Sequence, residues 1–380
     1  MDPMSLYLEI FGCRVEFGWN ALSTLGTHVK KLGSRKALIV TDEGVYSLGI
    51  PERISQILKK EGIGVAIFKD VSPDPTDTNV RKGVTFFKDE KCDLIIGVGG
   101  GSAMDAAKGV KVLSSHPEPL RQYFGATGAE KIVKPMPPLI AISTTSGTGS
   151  ETSRAGVITD TERNVKCTLR AGLPQLSLVD PELTLGMPPR LTAATGMDAL
   201  THNVEAYLSP RFHPCAEAVA LEGIRLTAEN LLTAVEDGKN QVARTHMAMA
   251  SSMGSLAFQK GLGVAHSLAH QLSTDFNVHH GLACAIVLPH TMEFNKSAAG
   301  NKLRNIAFAM GAKIPSAESA IEAVFQLTEK IGLPTKLSKV NVVESGIPVL
   351  ARKAMEDWCH PNNPRTCTES DMAMLFRNAY

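Results

Sequence analysis

The sequence predicts an α/β N-terminal half built on a doubly wound parallel sheet, followed by an all-α C-terminal half. Three observations carry this reading. From Lys36 to about Val179, short β-branched runs alternate with stretches of helical periodicity. Beyond the segment LGMPPRLT, long runs rich in Ala, Leu, Met and Glu keep helical periodicity and carry almost no strand signal. Between the two, Pro188 and Pro189 interrupt both kinds of element. Strands alternating with helices select a parallel sheet covered on its faces. At 380 residues the chain is long for one core, and its 43% apolar content can fill two. Domains at 1–187 (α/β) and 188–380 (all-helical) are therefore expected.

Six apolar runs have strand length: KALIVT, GVAIFKDV, DLIIGVGG, PLIAIST, AGVITD and LSLVD. Between them, RISQILKKEG and TDTNVRKGVTFFKDEK place apolar residues at helical spacing. In the second half, CAEAVALEGIRLTAENLLTAVEDG and NQVARTHMAMASSMGSLAF do the same. No internal repeat or low-complexity segment stands out.

Composition narrows the function classes. Lys plus Arg total 39 against 38 Asp plus Glu, with no basic run. That balance lacks the electrostatic footprint of a nucleic-acid or membrane-surface protein, so the expected partners are small molecules. The N-terminal MDPMSLYLEIFGCRVEF has no basic stretch leading into an apolar one. No apolar run approaches the roughly 18 residues that spanning a bilayer needs. A cytoplasmic protein is the expectation. Seven scattered cysteines without a C-x-x-C fit reduced thiols, each read as a packing residue.

Two loops carry ligand chemistry. DLIIGVGGGSAMDAAKGV is a buried strand running into Gly99, Gly100, Gly101 and Ser102 and then at once into a helix, a junction whose bare amides can cradle a phosphate. It misses G-x-G-x-x-G, because Ser102 stands where the third glycine should fall, and no G-K-S/T follows. A plain tight turn is the alternative. STTSGTGSET follows the next strand with hydroxyls and two glycines, at the carboxyl end where ligands of open α/β sheets bind. Asp42 ends KALIVTD, where a carboxylate can accept from ribose hydroxyls and repel a 2′-phosphate, or simply cap a helix.

A third constellation lies in the helical half. Asp198 and His202 are four residues apart in TGMDALTHNVEAYLS, whose apolar Met197, Leu200, Val204 and Leu208 recur at helical spacing. For an isolated pair the plain reading is a solvated i,i+4 contact worth a few tenths of a kcal/mol. The stretch GLGVAHSLAHQLSTDFNVHHGL repeats the spacing with His266 and His270 and adds His279 and His280. Two helices each showing two donors on one face suit a transition metal with one position left open for substrate. Spacing alone does not say which three histidines join Asp198.

With GGGSAMDAAK, STTSGTGSET, DPELTLGMPPRLTAATGMDALTHNVEAYLS and GLGVAHSLAHQL continuing to HHGLACAIVLPHTMEFN, the chain resembles the iron-containing, or group III, alcohol dehydrogenases over essentially its whole length. The resemblance implies a dehydroquinate synthase-like fold: an N-terminal dinucleotide-binding domain, a helical domain that binds metal, and an active site in the cleft between them. It implies metal ligands at Asp198, His202, His266 and His280, with His270 lining the pocket and helping to relay protons. Gly99, Gly100, Gly101, Ser102 and Asp105, with Thr144, Thr145 and Thr148, resemble pyrophosphate and nicotinamide contacts. Asp42 stands where the family's acidic residue favours NAD over NADP, and Lys166 matches a lysine that reaches the cofactor ribose.

The implied enzyme is an NAD(H)-linked, metal-dependent alcohol dehydrogenase or aldehyde reductase. Fe²⁺ is expected, although Zn²⁺, Mn²⁺, Co²⁺ or Ni²⁺ suit the same donors. A homodimer or a multiple of dimers is implied. Three departures sit near the substrate: His279 in place of proline, Ser273, Thr274 and Asp275 in place of a glycine-rich turn, and Lys260 after Gln259. With Arg154, Lys260 suggests capture of an anionic aldehyde, carboxylate or phosphonate. Rival readings are a polyol dehydrogenase, a metal-dependent lyase using NAD only transiently, and a non-catalytic nucleotide-binding protein.

Overall fold

The computed structural model describes residues 12–380. Most of the N-terminal stretch read above for a leader lies outside them. The described chain forms two compact units, one of Arg14–Thr195 with Thr233–Ser252, the other of Gly196–Leu232 with Met253–Tyr380 and Cys13.

The first unit is α/β. In chain order it holds β1 (Val15–Phe17), α1 (Leu25–Leu32), β2 (Lys36–Val40), α2 (Glu43–Ser47), α3 (Ile50–Lys60), β3 (Gly64–Phe68), α4 (Asp77–Asp89), β4 (Leu94–Gly99), α5 (Gly101–Ser115), α6 (Gly125–Ala129), β5 (Leu139–Ser143), β6 (Ala155–Asp160), β7 (Val165–Arg170) and β8 (Leu176–Val179). Six strands make one sheet in the order β1-β8-β5-β4-β2-β3, every pair parallel. Because both faces are covered, the strands read as continuous apolar runs. Leu38, Val40 and Ile95 pack one way with Val84 of α4 and Val110 of α5. Ala37, Ile39 and Ile96 pack the other way with Val29 of α1 and Ile54 of α3. Strand β2 leads to β3 on one side, whereas β4, beside it, leads to β5 on the other. The carboxyl ends of β2 and β4 therefore flank a topological switch point, where open α/β sheets bind ligands.

One strand departs from expectation. AGVITD is β6, but it pairs antiparallel with β7 in a separate hairpin outside the parallel sheet. Its burial alternates residue by residue, the mark of a strand covered on one face. Asp160 tightens the hairpin, accepting from the backbone N–H of Glu162 and Arg163.

The helical segments are α7 (Pro189–Leu208), α8 (Pro214–Glu236), α9 (Gln241–Ala257), α10 (Val264–Phe276), α11 (His280–Ala309), α12 (Ala317–Lys330), α13 (Ile347–Met355) and α14 (Glu369–Asn378). Pro189 opens α7, the one helical position where a missing N–H costs nothing. From Thr192 to Ser209 every residue of this stretch is buried, polar ones included. Glycines permit that closeness: a Cβ on Gly223 would lie 2.2 Å from Asn203 Oδ1, and one on Gly254 would lie 3.0 Å from the His202 Cβ. No helix among the described residues is long and apolar enough to cross a membrane.

Candidate metal centre and glycine loops

Asp198 and His202 are 2% and 6% exposed, which rules out a solvated surface pair. Helical spacing sets their side chains on one face of α7, and Asp198 Oδ1 lies 3.8 Å from His202 Nε2. Helices α10 and α11 bring two more imidazoles: Oδ1 is 3.9 Å from His266 Nε2 and 3.5 Å from His280 Nε2. The rings of His202 and His266 stack with centroids 4.7 Å apart. Metal bonds of about 2.0–2.3 Å in a tetrahedral site separate ligand atoms by about 3.3–3.8 Å, close to this spacing.

Buried partners orient the imidazoles. His266 Nδ1 donates to Glu205 Oε2 at 2.6 Å, and Glu205 Oε1 accepts from the Ala265 N–H. This carboxylate–imidazole pairing fixes the tautomer that leaves Nε2 as the acceptor. His266 Nε2 is buried with no hydrogen-bond partner. A basic nitrogen stranded among a carboxylate and two other imidazoles costs free energy unless something electrophilic meets it, so the donor set fits a divalent transition-metal ion. Burial works against a charged His266, but Glu205, and behind it Asp198, outweigh burial and hold its pKa above the ordinary value.

His270 faces a different partner. Its Nδ1 bonds Asp357 Oδ2 at 2.8 Å, and Asp357 Oδ1 also accepts from Ser267 Oγ and the Cys359 N–H. Burial raises the Asp357 carboxyl, but His270 and these donors outweigh it and hold the group well below the usual carboxylate range. The His270 ring stacks on His280 at 5.4 Å and lies 4.9 Å from Trp358.

Sequence reasoning missed Glu205, Asp357 and Trp358. Glu205 was visible at helical spacing from Asp198 and His202. Cys284, read as packing, stands four residues after His280, the very spacing that singled out Asp198 and His202. Asp357 and Trp358 are distant in sequence, and no local signal marks them.

The anionic-substrate reading of Lys260 is corrected. Its Nζ is buried, bonding Glu217 Oε1 and the Ser209 carbonyl at 2.6 Å and the Tyr207 carbonyl at 3.2 Å. Four methylenes let the ammonium reach the carbonyls that end α7, a C-terminal capping task. Asp275, placed on the pocket wall by sequence, instead pairs with Lys353 at 2.6 Å, and Thr274 donates to the His270 carbonyl. His279 and Arg154 are exposed.

In the α/β unit, Gly99, Gly100, Gly101 and Ser102 form the β4–α5 junction. Gly99 has φ +150°, and a Cβ there would lie 2.8 Å from Ala103 and 3.4 Å from Asp42 Oδ2. A Cβ on Gly101 would lie 2.9 Å from Thr148 Cγ2. No side chain caps the α5 N-terminus, which leaves its first amides to a ligand. Thr145 approaches Gly100, and its Oγ1 is buried without a hydrogen-bond partner. The Thr144 N–H donates to the Gly99 carbonyl, tying the loops together. The bare amides and stranded hydroxyl fit a phosphate group.

Asp42 caps α2, with Oδ1 accepting from the Val45 N–H. Asp105 holds the architecture: Oδ1 accepts from Ser150 Oγ at 2.6 Å and Oδ2 from the Val157 N–H at 2.8 Å. Lys166, on β7, donates to Asp74 at 2.6 Å.

Two family models match the chain, one in each half. The family model "Iron-containing alcohol dehydrogenase" matches residues 13–181, and "Fe-containing alcohol dehydrogenase family, C-terminal" matches 192–380. A 1,3-propanediol dehydrogenase of Klebsiella pneumoniae is 43% identical over 375 residues, 96% of each chain. An NAD-dependent methanol dehydrogenase of Bacillus methanolicus is 38% identical over 371 residues, 95% of this chain and 97% of that one. A solved 1,3-propanediol oxidoreductase superposes with TM-score 0.95 at 41% identity, covering 99% of this chain and 100% of that one. With both halves matched and the relatives aligned almost end to end, the chain belongs to the iron-containing alcohol dehydrogenase family.

Proposed function

We propose that this protein is a metal-dependent, NAD(H)-linked dehydrogenase of short primary alcohols or diols, running in reverse as an aldehyde reductase. The observation that carries the reading is the convergence of Asp198, His202, His266 and His280, with one buried nitrogen left unpartnered. The named activities of the relatives, on 1,3-propanediol, methanol and lactaldehyde, support the substrate class.

In this reading those four residues hold the cation, Fe²⁺ in keeping with the family, and the Gly99–Ser102 and Thr144–Thr148 loops hold the dinucleotide. When bound, the cation supplies Lewis acidity toward the substrate oxygen and the nicotinamide supplies the hydride acceptor or donor. Glu205 keeps His266 in the tautomer that presents Nε2. His270, fixed through Nδ1 by Asp357, offers Nε2 for moving the proton that alcohol oxidation releases. Asp42 disfavours a 2′-phosphate and so selects NAD over NADP, and Lys166 contacts the ribose. The uncrossed chain of carboxylate, imidazole and open nitrogen is what these residues contribute: orientation before the substrate arrives.

The test is NADH absorbance with a panel of alcohols and aldehydes after loading the protein with each divalent metal in turn. Turnover with short primary alcohols or diols is expected, abolished in His266→Ala. Undiminished turnover in that variant removes His266 from the centre.

A further inference from the structure

We propose that Cys284 is a fifth donor to the cation held by Asp198, His202, His266 and His280; this rests on the metal-centre reading above. Cys284 follows His280 by one turn of α11, so the two side chains share a helix face. Its Sγ lies 3.8 Å from Asp198 Oδ1 and 3.7 Å from His280 Nε2. Around an ion with five donors, bonds of about 2.3 Å to sulfur and about 2.1 Å to nitrogen or oxygen at angles of about 90–120° separate neighbouring donors by about 3.1–3.8 Å, a range that reaches this spacing. Donor atoms of Asp198, His266, His280 and Cys284 all lie within 4.8 Å of one another, a set in which His202 is not included; His202 adjoins it through Asp198, at 3.8 Å.

A second observation points the same way independently of the thiol. His266 is 1% exposed, its Nδ1 is committed to Glu205, and its buried Nε2 has no partner within this cluster. Cys284 is itself 0% exposed. A thiol that only fills space has carbon around it, whereas this one has a carboxylate oxygen and an imidazole nitrogen within 4 Å.

The chemistry is ligand exchange. On binding, the sulfur would replace one water of the hydrated ion and the thiol proton would pass to solvent, so that thiolate and Asp198 together would bring two negative charges to one divalent ion. Thiolate is a soft donor, so the site gains most with thiophilic ions such as Zn²⁺ or Co²⁺ and least with Mn²⁺. Cys284 is thus a determinant of which metal the chain prefers.

The full-length protein is stripped with a chelator, reloaded with Co²⁺ and examined by absorption spectroscopy. Visible ligand-field bands are expected, accompanied by a near-ultraviolet thiolate-to-cobalt charge-transfer band. In Cys284→Ser the ligand-field bands persist, shifted, while the charge-transfer band disappears. Competition between Zn²⁺ and Mn²⁺ is expected to lose about 10-fold of its preference for Zn²⁺ in the variant. Ligand-field bands without the charge-transfer band in the unmodified protein overturn the inference and leave the metal-centre reading standing. So does a charge-transfer band that survives in Cys284→Ser. Cobalt spectra identical in the unmodified protein and Asp198→Asn overturn the metal-centre reading itself. Should Cys284→Ser fail to fold, the presence or absence of the charge-transfer band in the unmodified protein still decides.

Discussion

The helical unit and the α/β unit build their candidate sites by opposite means. In the helical unit the donors are side chains, and each key imidazole is aimed by a buried carboxylate: His266 by Glu205, His270 by Asp357. In the α/β unit the candidate cradle is made by side chains that are missing, at Gly99, Gly100 and Gly101. Its carboxylate, Asp105, works behind the surface by holding Ser150 and Val157. A centre built from charge should be fragile to a change of chemistry at constant volume. One built from bare backbone should be fragile to added volume at constant chemistry.

Asp198→Asn tests the first half most severely. It keeps the shape and removes the only carboxylate among the four proposed ligands, so metal content should fall toward zero. Turnover of the metal-supplemented enzyme should drop by about 10³-fold or more. Elemental analysis alongside NADH absorbance checks both, and an asparagine variant retaining metal and turnover would dissolve the contrast between the units. Asp357→Asn is expected to act one step further out. It leaves the proposed ligands untouched, so metal content should hold while kcat falls about 10²-fold, the scale of a misaligned proton-transfer group. In a His270→Gln background the same change should add little, because the residue it orients is gone. Additive losses in that double variant would show that Asp357 acts otherwise than through His270.

Gly101→Val is the converse experiment. Its Cβ would meet Thr148 Cγ2 at 2.9 Å, and the bulk has to push one loop off the other. Titration with NAD⁺ should show Kd raised about 10-fold or more, which is about 1.4 kcal/mol, with metal content unchanged. Unaltered NAD⁺ affinity would move the dinucleotide away from this junction.

The same contrast explains what could be read from the sequence. The order of strands and helices was legible because continuous apolar runs and 3.6-residue periodicity are local signals. The antiparallel placement of β6 was not, since period-2 burial shows only after the partner β7 is known. Asp198 with His202, and His266 with His270, stood out because donors at i and i+4 announce a shared face; the choice of His266 and His280 as the partners of Asp198 and His202 came from the family resemblance, not from spacing. Cys284 obeys that rule and was passed over on residue type alone. Asp357 is 87 residues from His270, and only packing of the α13–α14 region against α10 makes it a partner. Lys260 failed in the other direction. Its charge suggested a ligand, but a helix end and Glu217 had already claimed it.

Within the α/β unit, two lysines of α5 sharpen the comparison at the smallest scale. Lys108 and Lys111 are both buried, at 0% and 3% exposure, on successive turns. Lys108 Nζ bonds the Ser150 carbonyl, Ser150 Oγ and the Ala155 carbonyl at 2.6–2.8 Å, anchoring the threonine-rich loop. Among the described residues Lys111 Nζ makes one long hydrogen bond, 3.4 Å to the Leu173 carbonyl. Burial, with the Lys108 charge adding to it, pushes its pKa from 10.5 down to about 8. The unfolded chain therefore binds more protons than the folded one between about pH 8 and pH 10.5, so this group makes stability rise with pH across that window. Below pH 8 the ammonium is charged in both states and its burial cost is fully present. Lys111→Met, which keeps the stem and removes the charge, should raise stability at pH 7 by about 1–3 kcal/mol. It should also flatten the rise between pH 8 and 10 in denaturant unfolding relative to the unmodified protein. The difference between the two proteins isolates Lys111 from Lys260, whose pKa burial also lowers to about 8. Lys108→Met, the same change one turn away, should instead destabilise, because it strands three acceptors that the loop cannot otherwise satisfy. Equal signs for the two substitutions would mean that burial alone, and not the partners each ammonium finds, decides what a lysine does inside this unit.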